Sequence, residues 1–99
     1  MNPITEIDID YLKVLDLAAM VKIFSNQLSL DIIKEISRKK ISVSDLSAKL
    51  GERKQKVSMQ LGKMKAAGVV VSVKDGRYKY YRPVMARIVM FEHILDIIL

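Results

Sequence analysis

The side chains best suited to chemistry in this sequence lie on one predicted helix, residues 53–67. At the helical period of about 3.6 residues per turn, this helix turns Val57, Leu61 and Met64 inward. The opposite arc combines amide, apolar, small and basic side chains, namely Gln55, Lys56, Ser58, Met59, Gly62 and Lys63, with Gln60 at its margin. Such a set can hydrogen-bond base edges, contact thymine methyl groups and allow close approach. It predicts a surface that reads base pairs in double-stranded DNA, and the alternative is a solvated helix face.

Positive charge is concentrated around the same helix. The net charge of +6 divides into −1 for residues 1–48, +9 for residues 49–87 and −2 for residues 88–99. A concentrated excess of this kind predicts a polyanion-binding surface. We expect the flanking basic side chains to contact DNA phosphates, namely Lys49, Arg53, Lys54, Lys65, Lys74, Arg77 and Lys79.

The sequence carries no catalytic or metal-binding pattern. It has no cysteine and one histidine, His93, and it lacks a glycine-rich phosphate loop and an H-E-x-x-H motif. The paired carboxylates Asp8 and Asp10 are explained by the start of a helix. His93 with Glu92 or Asp96 supplies only half of a ligand set, because zinc usually takes three or four protein ligands. We therefore expect no enzyme activity, no cofactor and no metal.

Length and composition indicate one small domain over residues 1–99. The chain is 51% hydrophobic with two prolines and four glycines, and a core this small without a disulfide favours self-association. No uncharged apolar run approaches the roughly 18 residues that span a bilayer, and the N-terminus lacks the basic residues of a signal peptide. We expect a cytoplasmic protein with no membrane partner.

The elements that position these side chains follow from the periodicity of apolar residues. A first helix covers about residues 8–25, and Ser29 is the predicted N-cap of a second helix ending at Arg38. A short extended stretch at 41–43 precedes a helix from Asp45 to Leu50 that Ser44 caps and Gly51 ends. Gly68 stops the helix over 53–67, so residues 44–67 form a candidate helix-turn-helix.

Residues 69–82 change to a β pattern and predict a hairpin wing. Two runs rich in β-branched and aromatic residues flank Asp75-Gly76, a strong signal for a two-residue turn. Arg77 at the tip can reach a minor groove or its phosphates. Arg77 and Lys79 alternate with tyrosines along the second strand, and we expect cross-strand and core packing, rather than base stacking, for Tyr78, Tyr80 and Tyr81.

The terminal helices predict a dimer. The final helix, residues 84–99, is apolar around most of its circumference, and the first helix also has more apolar surface than one core can use. Because the final helix carries one basic residue, Arg87, a membrane-surface role is disfavoured. The expected homodimer interface consists of Leu12, Leu15, Ala19, Ile88, Phe91, Ile94, Leu95 and Ile98.

The predicted order of helix, helix, short strand, helix, helix, hairpin and helix is that of a winged helix-turn-helix, mostly α with a small β wing. Six segments are similar in sequence and spacing to one particular family of winged helices, at 22–26, 30–33, 41–46, 57–61, 64–70 and 75–81. In these segments the chain resembles the ArsR family of dimeric transcriptional repressors, over roughly residues 20–82. The resemblance implies a homodimer that binds a palindromic operator and represses by blocking promoter access.

Two departures from the family pattern bear on function. Members that sense soft metals carry two cysteines where this sequence has Ser42 and Ser44, so thiolate sensing is absent. The usual proline and arginine between the first two helices are Gln27 and Ser29. The effector, if there is one, is not identified by the sequence.

Two other functions are compatible with a winged helix. One is a protein-interaction module of a transcription or chromatin assembly, which has no need of the +9 segment. The other is a sequence-indifferent DNA-coating protein, which needs only the lysines. The predicted base-facing residues Gln55, Met59 and Gln60 favour the sequence-specific regulator over both.

Overall fold

A computed structural model describes residues 17–98, without the side chains of Ile94 and Ile98. These residues form five helices and one antiparallel hairpin, which confirms the predicted winged helix-turn-helix fold. Residues 17–24 belong to α1. The later elements are α2 (Gln27–Arg38), α3 (Val43–Leu50), α4 (Lys54–Ala66), β1 (Val70–Asp75), β2 (Tyr78–Pro83) and α5 (Met85–Ile98).

The N-caps of α2 and α3 lie earlier in the chain than predicted. The Asn26 side chain accepts a hydrogen bond from the Ser29 backbone N–H at 3.2 Å, so Asn26 caps α2 and Ser29 lies inside the helix, completely buried. The Ser42 hydroxyl accepts from the Asp45 backbone N–H at 3.1 Å, so α3 begins before Ser44. Both corrections have one cause, because each stretch offers two cap-forming residues and the upstream one is used.

The turn after α3 follows the prediction. Gly51 adopts a left-handed conformation, with φ of 66°, and its N–H bonds back to carbonyls of α3. Such a conformation is inexpensive only for glycine. The chain enters α4 three residues later, at Lys54, and so forms the helix-turn-helix.

The wing is shifted by one residue from the prediction. Asp75 pairs with Tyr78, so the two-residue loop is Gly76-Arg77 rather than Asp75-Gly76. Gly76 has φ of 63° and Arg77 has no positive φ, the pattern of a type II′ turn. The predicted extended stretch before α3 reduces to one bridge, between Ser42 and Tyr80.

The core lies between α2, α3 and α4 and continues to α1 and α5. Its fully buried apolar side chains are Ile32, Leu46, Val57, Leu61, Met64, Val69 and Val70. The rings of Phe24 and Phe91 stack with centroids 4.7 Å apart, which packs α5 against α1. None of the helices in the described part of the chain is long and apolar enough to span a membrane.

Packing of α5 corrects part of the predicted dimer interface. Phe91 and Ile88 are buried within one chain, and Ala19 and Leu95 pack partly against the core, so this face of α5 serves the monomer. A helix that is apolar all round gives no periodicity from which to choose its inward face. The exposed apolar residues of α5 are Met85, Val89, Met90 and Ile97. Leu12, Leu15 and the side chains of Ile94 and Ile98 lie outside the description.

A buried carboxylate joins α2 to α3. Glu35 of α2 is 8% exposed, and its Oε2 lies 2.6 Å from Nζ of Lys49 on α3. Arg38 lies 4.0 Å away on the other side. The hydrogen bond from Lys49 holds the pKa of Glu35 below its ordinary value of 4.5, although burial acts in the opposite direction.

Gly68 is predicted to resist substitution. With φ of 78°, it turns the chain from α4 toward β1, and an added Cβ would lie 2.9 Å from the Arg87 guanidinium. We expect Gly68→Ala to lower the free energy of unfolding by about 1–2 kcal/mol. Gly62→Ala is the matched control, since Gly62 is helical with open space around it, and it should raise stability by about 0.5–1 kcal/mol. Urea unfolding of both variants measures the two changes in the free energy of unfolding, and equal changes would contradict the prediction.

The Glu35 ion pair predicts a pH dependence of stability. The pKa of Glu35 is lowered in the folded chain. The ionised carboxylate therefore contributes to the free energy of unfolding above about pH 4.5, and this contribution is lost as the pH falls further. Glu35→Gln should therefore lower Tm at pH 6, and the difference from the parent protein should shrink toward pH 3. Glu92→Gln, at an exposed position of α5, is the control and should leave Tm unchanged. If the Tm of Glu35→Gln stayed as far below that of the parent protein at pH 3 as at pH 6, the stabilising role of the ionised Glu35 would be contradicted.

Candidate nucleic-acid interface

Helix α4 has one buried and one exposed face. Val57, Leu61 and Met64 are completely buried against the neighbouring helices. Six of the seven side chains predicted to read bases lie on the exposed face: Gln55, Lys56, Ser58, Met59, Gly62 and Lys63. Met59 is 61% exposed, a large apolar side chain held in solvent. The exposed face therefore combines hydrogen-bonding, apolar and small surface along one side of the helix.

Gln60 is the exception among the predicted reading residues. It is 8% exposed, and its Nε2 donates a hydrogen bond to the Ser29 hydroxyl at 2.6 Å. Gln60 lies three residues after Val57 and four before Met64, which is the spacing of the buried face. That spacing could have identified it as an interior residue. Gln60 therefore joins α4 to α2 and is removed from the predicted base-reading set.

A groove that the sequence did not predict runs between α4 and the start of α2. It encloses about 590 Å³. One wall includes Gln55, Lys56, Met59 and Lys63 of the exposed face, and Asn26–Leu28 and Asp31 form the other. Gln27 donates to Asp31 at 2.9 Å across one turn of α2. Because the two walls are about thirty residues apart in sequence, no local pattern connects them. The groove is open to solvent along the length of the exposed face.

Two acidic side chains border this groove, Asp31 of α2 and Glu52. Glu52, in the turn before α4, lies 3.2 Å from Nζ of Lys56 and is half-buried. The pair spans one helical turn, where such interactions are weak and screened by salt. Lys56 is therefore partly neutralised in the free protein.

The predicted phosphate-contacting residues are all exposed, but they differ in their partners. Lys49 is paired with Glu35, and Lys65 donates to the Ser72 hydroxyl at 2.9 Å, linking α4 to β1. Lys79 lies over the Tyr81 ring at 5.8 Å. Within residues 17–98, four of the set have no ion-pair, side-chain hydrogen-bond or ring partner: Arg53, Lys54, Lys74 and Arg77. These four lie at the start of α4 and on the wing.

The three wing tyrosines have different environments. Tyr81 packs partly against the core, as predicted, and Tyr80 is half-buried. Tyr78 is 52% exposed at the end of the hairpin, and its ring packs against the Tyr80 ring, with centroids 6.4 Å apart, so the prediction of core packing is wrong for it. The cause is the shifted turn, which places Tyr78 opposite Asp75 in the last pair of the hairpin, beyond the reach of the core.

Lys40, a residue that the sequence did not single out, fixes the wing. Its Nζ lies 2.6 Å from the Asp75 carboxylate and 4.3 Å from the centre of the Tyr80 ring. Their hydrogen bond raises the pKa of Lys40 and lowers the pKa of Asp75. The loop before α3 is thereby joined to the tip of the hairpin.

No set of three or more His, Asp or Glu side chains among the described residues could hold a metal ion. His93 is exposed on α5.

Comparison with solved structures agrees with this architecture. An ArsR-like transcriptional regulator from Rhodococcus sp. RHA1 superposes with a TM-score of 0.79 at 29% identity, over 87% of this chain and 79% of that one. The chain has the ArsR-like winged helix-turn-helix fold. Two further solved structures share the fold at 19% identity. NolR from Sinorhizobium fredii has a TM-score of 0.73 over 99% of this chain and 93% of that one. A homodimeric winged helix-turn-helix DNA-binding domain from Mycobacterium bovis has a TM-score of 0.75 over 88% of this chain and 82% of that one.

No family model and no curated protein matches the sequence. The likeness to ArsR-like regulators is therefore carried by the structure. The positions of the two cysteines that metal-sensing members carry are Ser42 and Ser44 here, and Ser42 caps α3.

The buried hydrogen bond between Gln60 and Ser29 predicts a coupled effect on stability. Ser29→Ala leaves the Gln60 amide without its partner and should cost about 1–3 kcal/mol of unfolding free energy. Adding Gln60→Leu removes the polar group as well, so the double variant should regain most of that loss. Urea denaturation of the two single variants and the double variant measures the coupling. Additive effects would show that the two side chains act independently.

Proposed function

We propose that this protein is a sequence-specific, double-stranded DNA-binding transcriptional regulator that acts as a homodimeric repressor on a palindromic operator. The observation that carries the proposal is the exposed face of α4, where Gln55, Met59 and Gly62 lie together. A solvated helix face has no need of an exposed methionine beside a glycine. The similar structures from Rhodococcus sp. RHA1, an ArsR-like transcriptional regulator, and Mycobacterium bovis, a homodimeric DNA-binding domain, support the same function.

In the proposed complex, α4 enters the major groove. The Gln55 amide can donate and accept at a base edge, in the way that glutamine recognises adenine, and Met59 contacts a thymine methyl group. Gly62 has open space where a side chain would stand, so the duplex can approach the helix backbone there. Lys56, Ser58 and Lys63 complete the reading surface.

The unpaired cations position the protein on the duplex. Arg53 and Lys54 lie at the N-terminal end of α4, where backbone N–H groups and the helix dipole also favour a phosphate. Lys74 and Arg77 place two further charges at the tip of the wing, which can reach the adjacent minor groove. These contacts contribute affinity and salt dependence rather than sequence preference. Lys49, Lys65 and Lys79 have partners within the chain and contribute at longer range.

The exposed apolar face of α5 supports a homodimer. Met85, Val89, Met90 and Ile97 are each more than half exposed on this face. Since Phe91 and Ile88 on the opposite face bind α5 to its own chain, the exposed face is free for a second copy. Two copies related by a two-fold axis present two α4 helices to two half-sites of a symmetric operator.

Each part of the chain then has a function within one domain, residues 1–99. We assign dimerisation to residues 1–25 and 84–99. Residues 44–67 form the helix-turn-helix, and residues 69–82 form the wing.

We expect two classes of variant with different effects on DNA binding, one on overall affinity and the other on base preference. Both are measured on the duplex that binds best in a selection from a random pool. Lys54→Ala or Arg77→Ala should weaken binding to every sequence and reduce the salt slope by about one unit each. Gln55→Ala should cost about 1–3 kcal/mol on the best site and relax base preference there. Gly62→Ala should weaken binding while it stabilises the fold. Fluorescence anisotropy across a salt series measures all four.

The control for these measurements is Lys34→Ala, an exposed lysine of α2 that does not line the groove, which should leave binding unchanged. Selection should enrich an inverted repeat with half-sites about 10–10.5 base pairs apart or a multiple of that spacing. No enrichment would indicate a DNA-coating protein, and an unchanged base preference in Gln55→Ala would mean that α4 does not read bases through this residue.

Light scattering should give about twice the 11.3 kDa mass of one chain. Val89→Asp places a charge on the exposed face of α5 and should produce a folded monomer with weaker operator binding. Leu30→Asp is the matched control, since Leu30 is an exposed apolar residue of α2, and it should remain dimeric. A monomeric parent protein at micromolar concentration would contradict the dimer.

A further inference from the structure

A second pocket lies between the C-terminal end of α2, the hairpin and Met85 at the start of α5, and it encloses about 520 Å³. We propose that this pocket binds a small aromatic anion, a flat ring that carries a carboxylate or phosphate group. The volume lies within the range of about 300–1,000 Å³ that is typical of small-molecule sites. The proposal does not depend on DNA binding, because the pocket is formed by residues outside the α4 groove.

The floor of the pocket is apolar and aromatic. Val73 and Tyr80 face each other as a cross-strand pair, so their side chains lie on the same side of the hairpin. Tyr80 is half-buried, and Val73 is 37% exposed. Ile36 and Pro83 also line the pocket. A flat ring packs against this floor beside the Lys40 ammonium, which lies 4.3 Å from the centre of the Tyr80 ring.

The rim of the pocket is cationic. Arg38, Lys39 and Lys40 come from the end of α2, and Arg82 comes from β2, two residues from Tyr80 and so on the same face of the strand. The helix dipole accounts for cations at the end of α2. It does not account for Arg82, which belongs to a different element. Positive charge therefore converges on the pocket from two sides.

These four cations have few anionic partners. Arg38 lies 4.0 Å from Glu35, which it shares with Lys49, and Lys40 is paired with Asp75. Among residues 17–98, Lys39 and Arg82 have no carboxylate partner. An anion in the pocket offsets this excess, and the apolar floor selects an anion with an organic body over an inorganic one.

The pocket is separate from the α4 groove. The groove meets α2 at Gln27, and the pocket meets α2 at Ser37. Their nearest residues on α2, Asp31 of the groove and Ile36 of the pocket, are about 7.5 Å apart along the helix axis, and no residue lines both. Lys40 connects the pocket to the wing, because the same ammonium group is 2.6 Å from Asp75. A bound anion competes with Asp75 for Lys40 and weakens the attachment of the wing tip.

The test is calorimetric titration of the parent protein without DNA, using benzoate, phenyl phosphate, the uncharged analogue benzamide and inorganic phosphate as probes. Benzoate or phenyl phosphate should bind, and benzamide and inorganic phosphate should bind at least about tenfold more weakly, since charge-assisted contacts and the apolar floor are both required. Arg82→Gln should weaken binding about tenfold. Lys34→Gln, an exposed lysine of α2 outside the pocket, should leave it unchanged.

Asp75→Asn provides the test of competition. It releases Lys40 and should tighten binding of the same probe, a result that a nonspecific cationic surface would not give. Circular dichroism of each variant checks that the fold is kept. The proposal is overturned if neither aromatic anion binds, if benzamide or inorganic phosphate binds equally well, or if Arg82→Gln has no effect. Because no DNA is present, failure of this proposal leaves the proposed DNA-binding function untouched.

Discussion

Burial of one face of α4 is the constraint on which the rest of the structure depends. Val57, Leu61 and Met64 have no exposed surface, and a helix cannot rotate about its axis without bringing such a stripe into water. The hydrogen bond from Gln60 to Ser29 adds a directional contact to this apolar packing, since a buried amide without a partner is costly. The orientation of α4 is therefore fixed by its interior. The exposed residues Gln55, Met59 and Gly62 are held outward as a consequence, before any ligand is bound.

Three carboxylates that pair with lysines also have structural consequences. Glu35 and Asp75 each pair with a lysine of a different element and so join α2 to α3 and the wing tip to the loop before α3. Glu52 instead pairs within one turn, with Lys56. The positive charge left without partners lies at the start of α4, at the wing tip and around the pocket beside the hairpin. Polyanion binding and internal stability thus use different subsets of the same lysines and arginines.

The sequence predicted those features that depend on local signals. The order of the elements, the left-handed Gly51 and Gly68, and the hairpin all follow from periodicity and turn chemistry within a few residues. The N-caps of α2 and α3 were misplaced because two cap-forming residues compete at each site. The inward face of α5 could not be identified, because apolar residues on all sides of a helix leave its orientation to tertiary contacts such as the stacking of Phe91 on Phe24. The α4 groove and the Lys40–Asp75 pair join residues distant in sequence, and no local pattern reports them.

The outward orientation of α4 as a DNA-binding surface is tested most directly by NMR of the ¹⁵N-labelled protein during titration with a DNA duplex. Changes in backbone amide chemical shift show which helices and strands are affected by DNA, in one experiment and without any substitution. The largest perturbations are expected at residues 53–63 of the turn and α4 and at residues 74–77 of the wing tip, with little change in α5. Perturbations concentrated on α5 or at the end of α2, with α4 unchanged, would contradict the assignment of α4 as the reading helix.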